Sequence, residues 1–257
     1  MSHFTVGVLV PRFIAFEIED YPAEPKLNDK AIDAYISAAM APYYEGLTVA
    51  PYDRECWCVG RAAQKAMNEW VHGQLGDFGA VRNAYWALPE EQRSNEKWEE
   101  MIAPWKEAEA KYKAEHEADF KLPDPECSEC NGTGLYKSQY NPKSEWDWYV
   151  VGGRWDGDMI GNEQSSDNGF NFGAQHRTIK NNIAPVADLI KRFEENPEDL
   201  YTFFAVVTPD GAWHERGNMG WWGIVTDEKD AGDWEGQVKS MYLAHKDFYI
   251  VSIDAHI

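Results

Sequence analysis

Apolar and polar residues alternate at both ends of the chain, and that period of two predicts a strand at each. In HFTVGVLV, residues 3–10, Phe4, Val6, Val8 and Val10 fall on one face, with His3 and Thr5 on the other. In the closing DFYIVSIDAHI, Val251, Ile253, Ala255 and Ile257 share one face while Ser252, Asp254 and His256 share the opposite one. Pairing of the two strands would gather His3, Thr5, Ser252, Asp254 and His256 on a single polar face, expected to stand in water.

Between the termini the pattern changes period. A turn-rich acidic stretch through Pro22 and Pro25 precedes DKAIDAYISAAMAPY, which reads as a helix starting at Asn28 or Asp29. Further helices are expected over 60–75, 78–88 and 185–195. Residues 89–119 have the strongest helical propensity, with Pro104 expected to kink or divide the segment and Trp98, Ile102, Trp105 and Tyr112 sharing a face. Strands are expected near 146–151, 202–207, 212–215 and 219–225, and the Gly-, Asn- and Ser-rich run from Asp156 to Gln175 reads as a long surface loop. The fold class predicted is α+β: a mostly antiparallel sheet with helices packed on one face and a zinc-knuckle-like insertion. It is read as one domain over 1–257, with a helical insertion at about 28–118 and the cysteine knuckle at about 123–137.

Charge narrows the partners. With 44 acidic against 24 basic side chains, a formal charge of −20 opposes general binding to duplex DNA, which depends on Lys and Arg displacing counterions. The acidity reads either as a solvated surface or as mimicry of nucleic acid by ordered carboxylates. No apolar run approaches the roughly 18 residues of a membrane helix, and the start of the chain lacks the pattern of a signal peptide, so a soluble cytoplasmic protein is expected. Twelve tryptophans exceed ordinary usage, and most of them must be structural.

Two groups of residues carry candidate chemistry. Cys127-x-x-Cys130 followed by Gly132 and Gly134 has the form of one zinc knuckle, and Cys56 and Cys58 are the only other cysteines. A four-thiolate structural zinc site would use all four. His116 or His72 could replace a thiol of the Cys-x-Cys pair, and a metal-free CxxC is the alternative. The second group is the polar face, where His3, His214, Asp254 and His256 could act as general acid and base or hold a second metal. Arg154, Trp155, Trp213 and Glu215, with His214 beside them, form a candidate ligand-binding set in which indole and guanidinium would stack on a planar group and contact an anion. There is no GxxxxGK[ST], no GxGxxG opening a helix, no HExxH and no GxSxG.

MSHFTV at the start, NPKSEWDWYVVGGRW in the middle, VVTPDGAWHERGNMGWWG later and the closing SIDAHI together resemble a group of uncharacterised proteins encoded by tailed bacteriophages. These share the HFTV opening, a WDWY-x-x-GGRW core and a final HI, and the likeness leaves residues 20–120 uncovered. It implies a phage accessory protein in the cytoplasm of an infected bacterium. The function expected is interference with the host or its defences, through a host protein or a nucleotide-like small molecule. The alternatives are a nucleotide-directed hydrolase or transferase using the His/Asp cluster, and an acidic nucleic-acid mimic.

Overall fold

The computed structural model describes residues 2–17, 26–161 and 179–257. The acidic turn expected around Pro22 and Pro25, and most of the Asp156–Gln175 loop, lie outside these residues. The chain divides into two compact units, one made of Met1–Val49 with Tyr140–Ile257 and one of Ala50–Gln139. The second is therefore an insertion into the first, and it takes in the cysteine knuckle.

In chain order the first unit opens with β1 (His3–Pro11), α1 (Arg12–Ala15), β2 (Phe16–Glu17), β3 (Lys26–Leu27) and α2 (Asp29–Met40). Asn28 caps α2 by accepting from the Ala31 N–H at 3.0 Å, as the sequence predicts. The inserted unit contributes β4 (Tyr52–Glu55), α3 (Arg61–Leu75), α4 (Phe78–Trp86), α5 (Asn95–Glu115) and β5 (Leu135–Ser138). The first unit resumes with β6 (Trp148–Val151), β7 (Ile183–Pro185), α6 (Val186–Glu195), β8 (Ala205–Val207), β9 (Trp213–Glu215), β10 (Asn218–Met219), β11 (Val225–Thr226), α7 (Ala231–Ala244) and β12 (Phe248–His256).

Six of these strands form the main sheet, in the order β6-β12-β1-β8-β9, with β7 pairing β12 beside β6. Only β1 and β8 run parallel; the other pairs are antiparallel. The terminal strands pair over their full length, in a register that sets His3 opposite His256 and Thr5 opposite Asp254.

Helices cover both faces of this sheet, where the sequence suggested one. Phe4, Val6, Val8, Val10, Val251, Ile253 and Ala255 pack against Ile32, Ile36 and Met40 of α2. On the reverse face Leu9, Val206 and Ile250 pack under Val186, Leu189, Ile190 and Phe193 of α6 and Trp234, Val238 and Tyr242 of α7. The second layer was hidden because β1 is apolar on both faces beyond Gly7, so strict alternation holds only for its first half. α7 was not expected at all.

MGWWGIV is not the strand predicted at 219–225. β10 and β11 are two-residue strands forming a separate ribbon, and between them the chain turns through Trp221–Gly223, where Trp222 has φ +67°. Gly220 and Gly223 flank the paired tryptophans and favour the turn over extension.

Within the inserted unit, α5 runs unbroken through Pro104. Proline removes one backbone donor, and here the packing of Ile102, Trp98 and Trp105 outweighs that loss. Met67, Ala63 and Val71 of α3 and Ile102 of α5 are its buried aliphatic residues. No helix among the described residues is long and apolar enough to cross a membrane.

Candidate functional site

The pairing of the chain's two terminal strands builds a histidine site. Ser2 and Ile257 exchange backbone hydrogen bonds, so the next pair, His3 and His256, occupies a position of the ladder where cross-strand side chains stand closest. Their rings lie 5.0 Å apart, edge to face. Each imidazole is tied to a carboxylate through Nδ1. His3 Nδ1–H donates to Asp254 Oδ1 at 2.8 Å, and His256 Nδ1–H donates to Asp147 Oδ1 at 2.6 Å. An ionised carboxylate only accepts, so Nδ1 of both rings carries a proton toward it, and Nε2 is the acceptor whenever the ring is neutral.

Asp254 is held on its other side as well. The backbone N–H of Arg154 donates to its Oδ2 at 2.9 Å, across the turn made by Gly152 and Gly153. Gly152 has φ +73° and Gly153 φ +62°, and a Cβ on Gly153 would stand 2.0 Å from that of Asp254. The double glycine thus brings a main-chain donor onto a carboxylate. Trp148, opposite His256 in the register of β6, stacks on His256 with ring centres 5.0 Å apart and meets His3 edge-on at 5.1 Å. Its indole remains 44% exposed.

This face is not the solvated one expected. Ser252, Asp254 and His256 are buried, and His3 keeps only 9% of its side chain exposed. Among the described residues neither His256 Nε2 nor Ser252 Oγ has a hydrogen-bond partner, although both are shut off from solvent. A buried polar atom left unpaired costs about 1–3 kcal/mol.

His214 does not join this cluster. It sits on β9 opposite Val206, with Nε2 3.3 Å from Thr208 Oγ1, and opens on a groove of about 530 Å³ shared with Asp233, Gln237 and Ser240 of α7. The proposed ligand set is divided as well. Arg154, exposed, and Trp155 follow β6 at one edge of the sheet, whereas Trp213 and Glu215 lie on β9 at the other. Trp213 packs among Phe4 and Tyr43, and its Nε1–H donates to Glu215 Oε2 at 3.0 Å. Glu215 in turn meets Glu145, whose carboxyl is raised to about 8, first by burial and then by the charge of Glu215 and a hydrogen bond to it. With its value raised above 7, the Glu145 carboxyl keeps its proton at neutral pH.

Asp147 and Trp148, absent from the expected site, complete it. The WDW tripeptide carries no local signal for a contact with His256, which requires the β6–β12 register to be known.

In the inserted unit all four cysteines come together. β4 pairs antiparallel with β5, with Glu55 opposite Leu135, so Cys56 follows the end of one strand and Cys130 precedes the start of the other. Gly132 and Gly134 take positive φ, and the Gly134 N–H points to Cys130 Sγ at 3.4 Å while its carbonyl accepts from Cys56 N–H at 2.8 Å. The four buried Sγ atoms lie within 4.8 Å of one another, with Cys56–Cys127 at 3.7 Å and Cys58–Cys130 at 3.4 Å. Four thiolates about 2.3 Å from a tetrahedral metal stand about 3.8 Å apart, so the set fits a metal centre, whereas a disulfide needs about 2.05 Å.

The thiols differ in acidity. Burial, reinforced by hydrogen bonding to Cys130, holds Cys58 up to about 12. Cys130 is similarly pressed upward by burial, but the Gly134 N–H and the neighbouring thiols bring it down to about 7. Neither His72 nor His116 belongs to the group; His116 stacks on Tyr112 at 4.2 Å and pairs with Asp119. No family model, no curated protein and no solved structure matches the chain.

Proposed function

We propose that the protein is a nucleotide-directed hydrolase or transferase whose reacting centre is the His3–His256 pair, the sheet-end site flanked by Trp148 and Arg154. The observation that carries this reading is the pairing of both rings with carboxylates: Asp254 holds His3 Nδ1 and Asp147 holds His256 Nδ1, on adjacent strands and beside the exposed Trp148. Two imidazole–carboxylate pairs side by side at one end of a sheet form a constellation suited to acid–base chemistry. An exposed indole stacked beside the pair supplies a platform for a planar base, and the exposed guanidinium of Arg154 supplies a contact for phosphate. In the infected bacterium that the phage resemblance implies, such a protein would act on a host nucleotide or nucleotide signal.

Zinc is the metal we assign to Cys56, Cys58, Cys127 and Cys130. A closed shell of four thiolates leaves no open position, so its part is to hold the inserted unit together. This assignment is independent of the histidine site.

The test is incubation of the purified protein with a panel of nucleoside monophosphates, triphosphates and cyclic dinucleotides, followed by chromatography. Consumption of one member by the wild type, lost in His256→Gln and reduced in Trp148→Ala, is the expected result. No consumption of any member, with no binding by calorimetry, would overturn the reading.

A further inference from the structure

Trp57 stands between two of the four clustered cysteines and is 61% exposed, yet it is held in place. Its Nε1–H donates to Glu129 Oε2 at 2.6 Å, on the other cysteine turn, and the guanidinium of Arg61 lies over one face of the indole, 4.5 Å from the ring centre. With that face covered, the remaining exposure belongs to the opposite face and the outer edge. An indole fixed at its polar end and open on one face is a preformed platform for a planar ring, because little rotamer freedom is left to lose when something stacks on it.

Arg61 opens α3, where Arg61, Gln64, Lys65 and Asn68 share a face at i, i+3, i+4 and i+7 while Ala63, Met67 and Val71 turn inward. With Trp57, Val59 and Phe120, the outward face lines a groove of about 610 Å³. Gly60 lets the chain come close beneath it: its φ is +75°, and a Cβ there would stand 2.7 Å from the Phe120 carbonyl oxygen. In a chain with 44 acidic and 24 basic side chains, this lining carries two cations, Arg61 and Lys65, against one carboxylate, Glu69. Among the described residues Arg61 makes no ion pair, so the edge of its guanidinium is free for an anion from outside. Lys65 reaches Glu69 only at 4.0 Å, and both side chains are largely exposed, so that pair is weak. Gln64 and Asn68 bond each other at 2.9 Å, which commits only one atom of each amide.

We propose that this groove binds single-stranded nucleic acid, with a base stacked on Trp57 and its phosphate held by Arg61 and Lys65. Stacking tolerates any base, and the two amides can meet a base edge or sugar hydroxyl. A duplex keeps its bases paired and stacked inside, out of reach of the indole. A free nucleotide offers the same ring and phosphate. The four-thiolate centre gains a second part, since fixing Cys56 and Cys58 also fixes the indole between them. All of these residues belong to the inserted unit, so the inference stands apart from the histidine site.

The test is fluorescence anisotropy of labelled oligouridylate and oligothymidylate of roughly eight nucleotides, titrated with the full chain carrying its zinc. A duplex of the same length and uridine monophosphate serve as competitors. The strands are expected to bind, with log Kd rising against log salt with a slope of about 1–2, as two phosphate contacts require. Trp57→Ala and Arg61→Ala should each weaken binding about 10-fold or more, while Trp57→Phe, which keeps a stacking ring, loses less. Both residues are exposed, so zinc content and melting temperature should match wild type. If Trp57→Ala disturbs the cysteine centre, Arg61→Ala, outside the cysteine turns, decides. Uridine monophosphate competing as well as the strand would support the site and assign it to free nucleotides. The inference is overturned if neither strand nor mononucleotide binds, if the duplex competes as well as the strand, or if Arg61→Ala binds undiminished.

Discussion

Gly153 lies against Asp254 so closely that a methyl group on its Cα would fall 2.0 Å from the aspartate's Cβ and 2.2 Å from Oδ2. The contact lets the main-chain N–H of the following residue reach a carboxylate that is otherwise committed to His3. Gly153→Ala meets both a positive φ and this clash, so it is expected to cost about 2 kcal/mol or more and to move the imidazole NMR resonances of His3 at constant pH. A folded variant with wild-type stability and unmoved His3 resonances would show that the turn does not hold the dyad.

Arg154 differs from its neighbour, because it serves the fold through its backbone and leaves its side chain exposed. Arg154→Ala should leave the melting temperature within about 1 °C of wild type, as surface substitutions commonly do, while weakening any nucleotide found to bind. A drop of several degrees would point to a structural ion pair instead.

The four-thiolate centre predicts one tightly held zinc per chain in protein purified without added metal. Apparent binding energies of such sites are about 10–16 kcal/mol, so Cys127→Ser should abolish cooperative unfolding of the inserted unit. Elemental analysis near zero zinc, or helical signal from α3–α5 melting as in wild type, would remove the centre from the fold.

Glu145 gives a dependence on pH. Its folded value, about 8, exceeds its ordinary value of 4.5, so the folded state retains a proton that the unfolded chain releases. Stability from this group is full below about 4.5 and is lost as pH rises through 8. Glu145→Gln keeps a neutral side chain throughout, so the variant should gain on wild type steadily between those limits. Melting curves at intervals of one pH unit decide it, and a constant difference would refute the raised value of Glu145.

Removal of Asp254–Ile257 takes away one carboxylate, one imidazole and the β12 ends of the β1 and β6 pairings. Loss of a cooperative transition is expected by circular dichroism. Wild-type melting would mean that the strand's end is peripheral.

The terminal strands were legible because each alternates cleanly for at least four residues next to the end of the chain, where no competing helical pattern intrudes. The capping Asn28 and the glycines at 60 and 76 made α2 and α3 legible in the same way. α7 was not, since Gly232 and Gly236 dilute its propensity and only Trp234, Val238 and Tyr242 mark a buried stripe. For the site, alternation placed His3, Asp254 and His256 together, but burial of that face depended on the Gly152–Arg154 turn, a contact about a hundred residues away in sequence. Asp147 needed the register of a third strand.

β12 has β1 along one side and β6 and β7 along the other, so the last of the sheet's strands in chain order lies in its interior. During synthesis β1 emerges roughly 240 residues before the partner that completes it. At translation rates of about 5–20 residues per second, the edge of β1 that β12 pairs waits roughly 10–50 s for its partner. The sheet therefore assembles after translation of its strands, not alongside it, and the histidine site, which spans that same pairing, forms at the final step. Separately expressed N-terminal fragments, which leave the β1 edge unpaired, should aggregate.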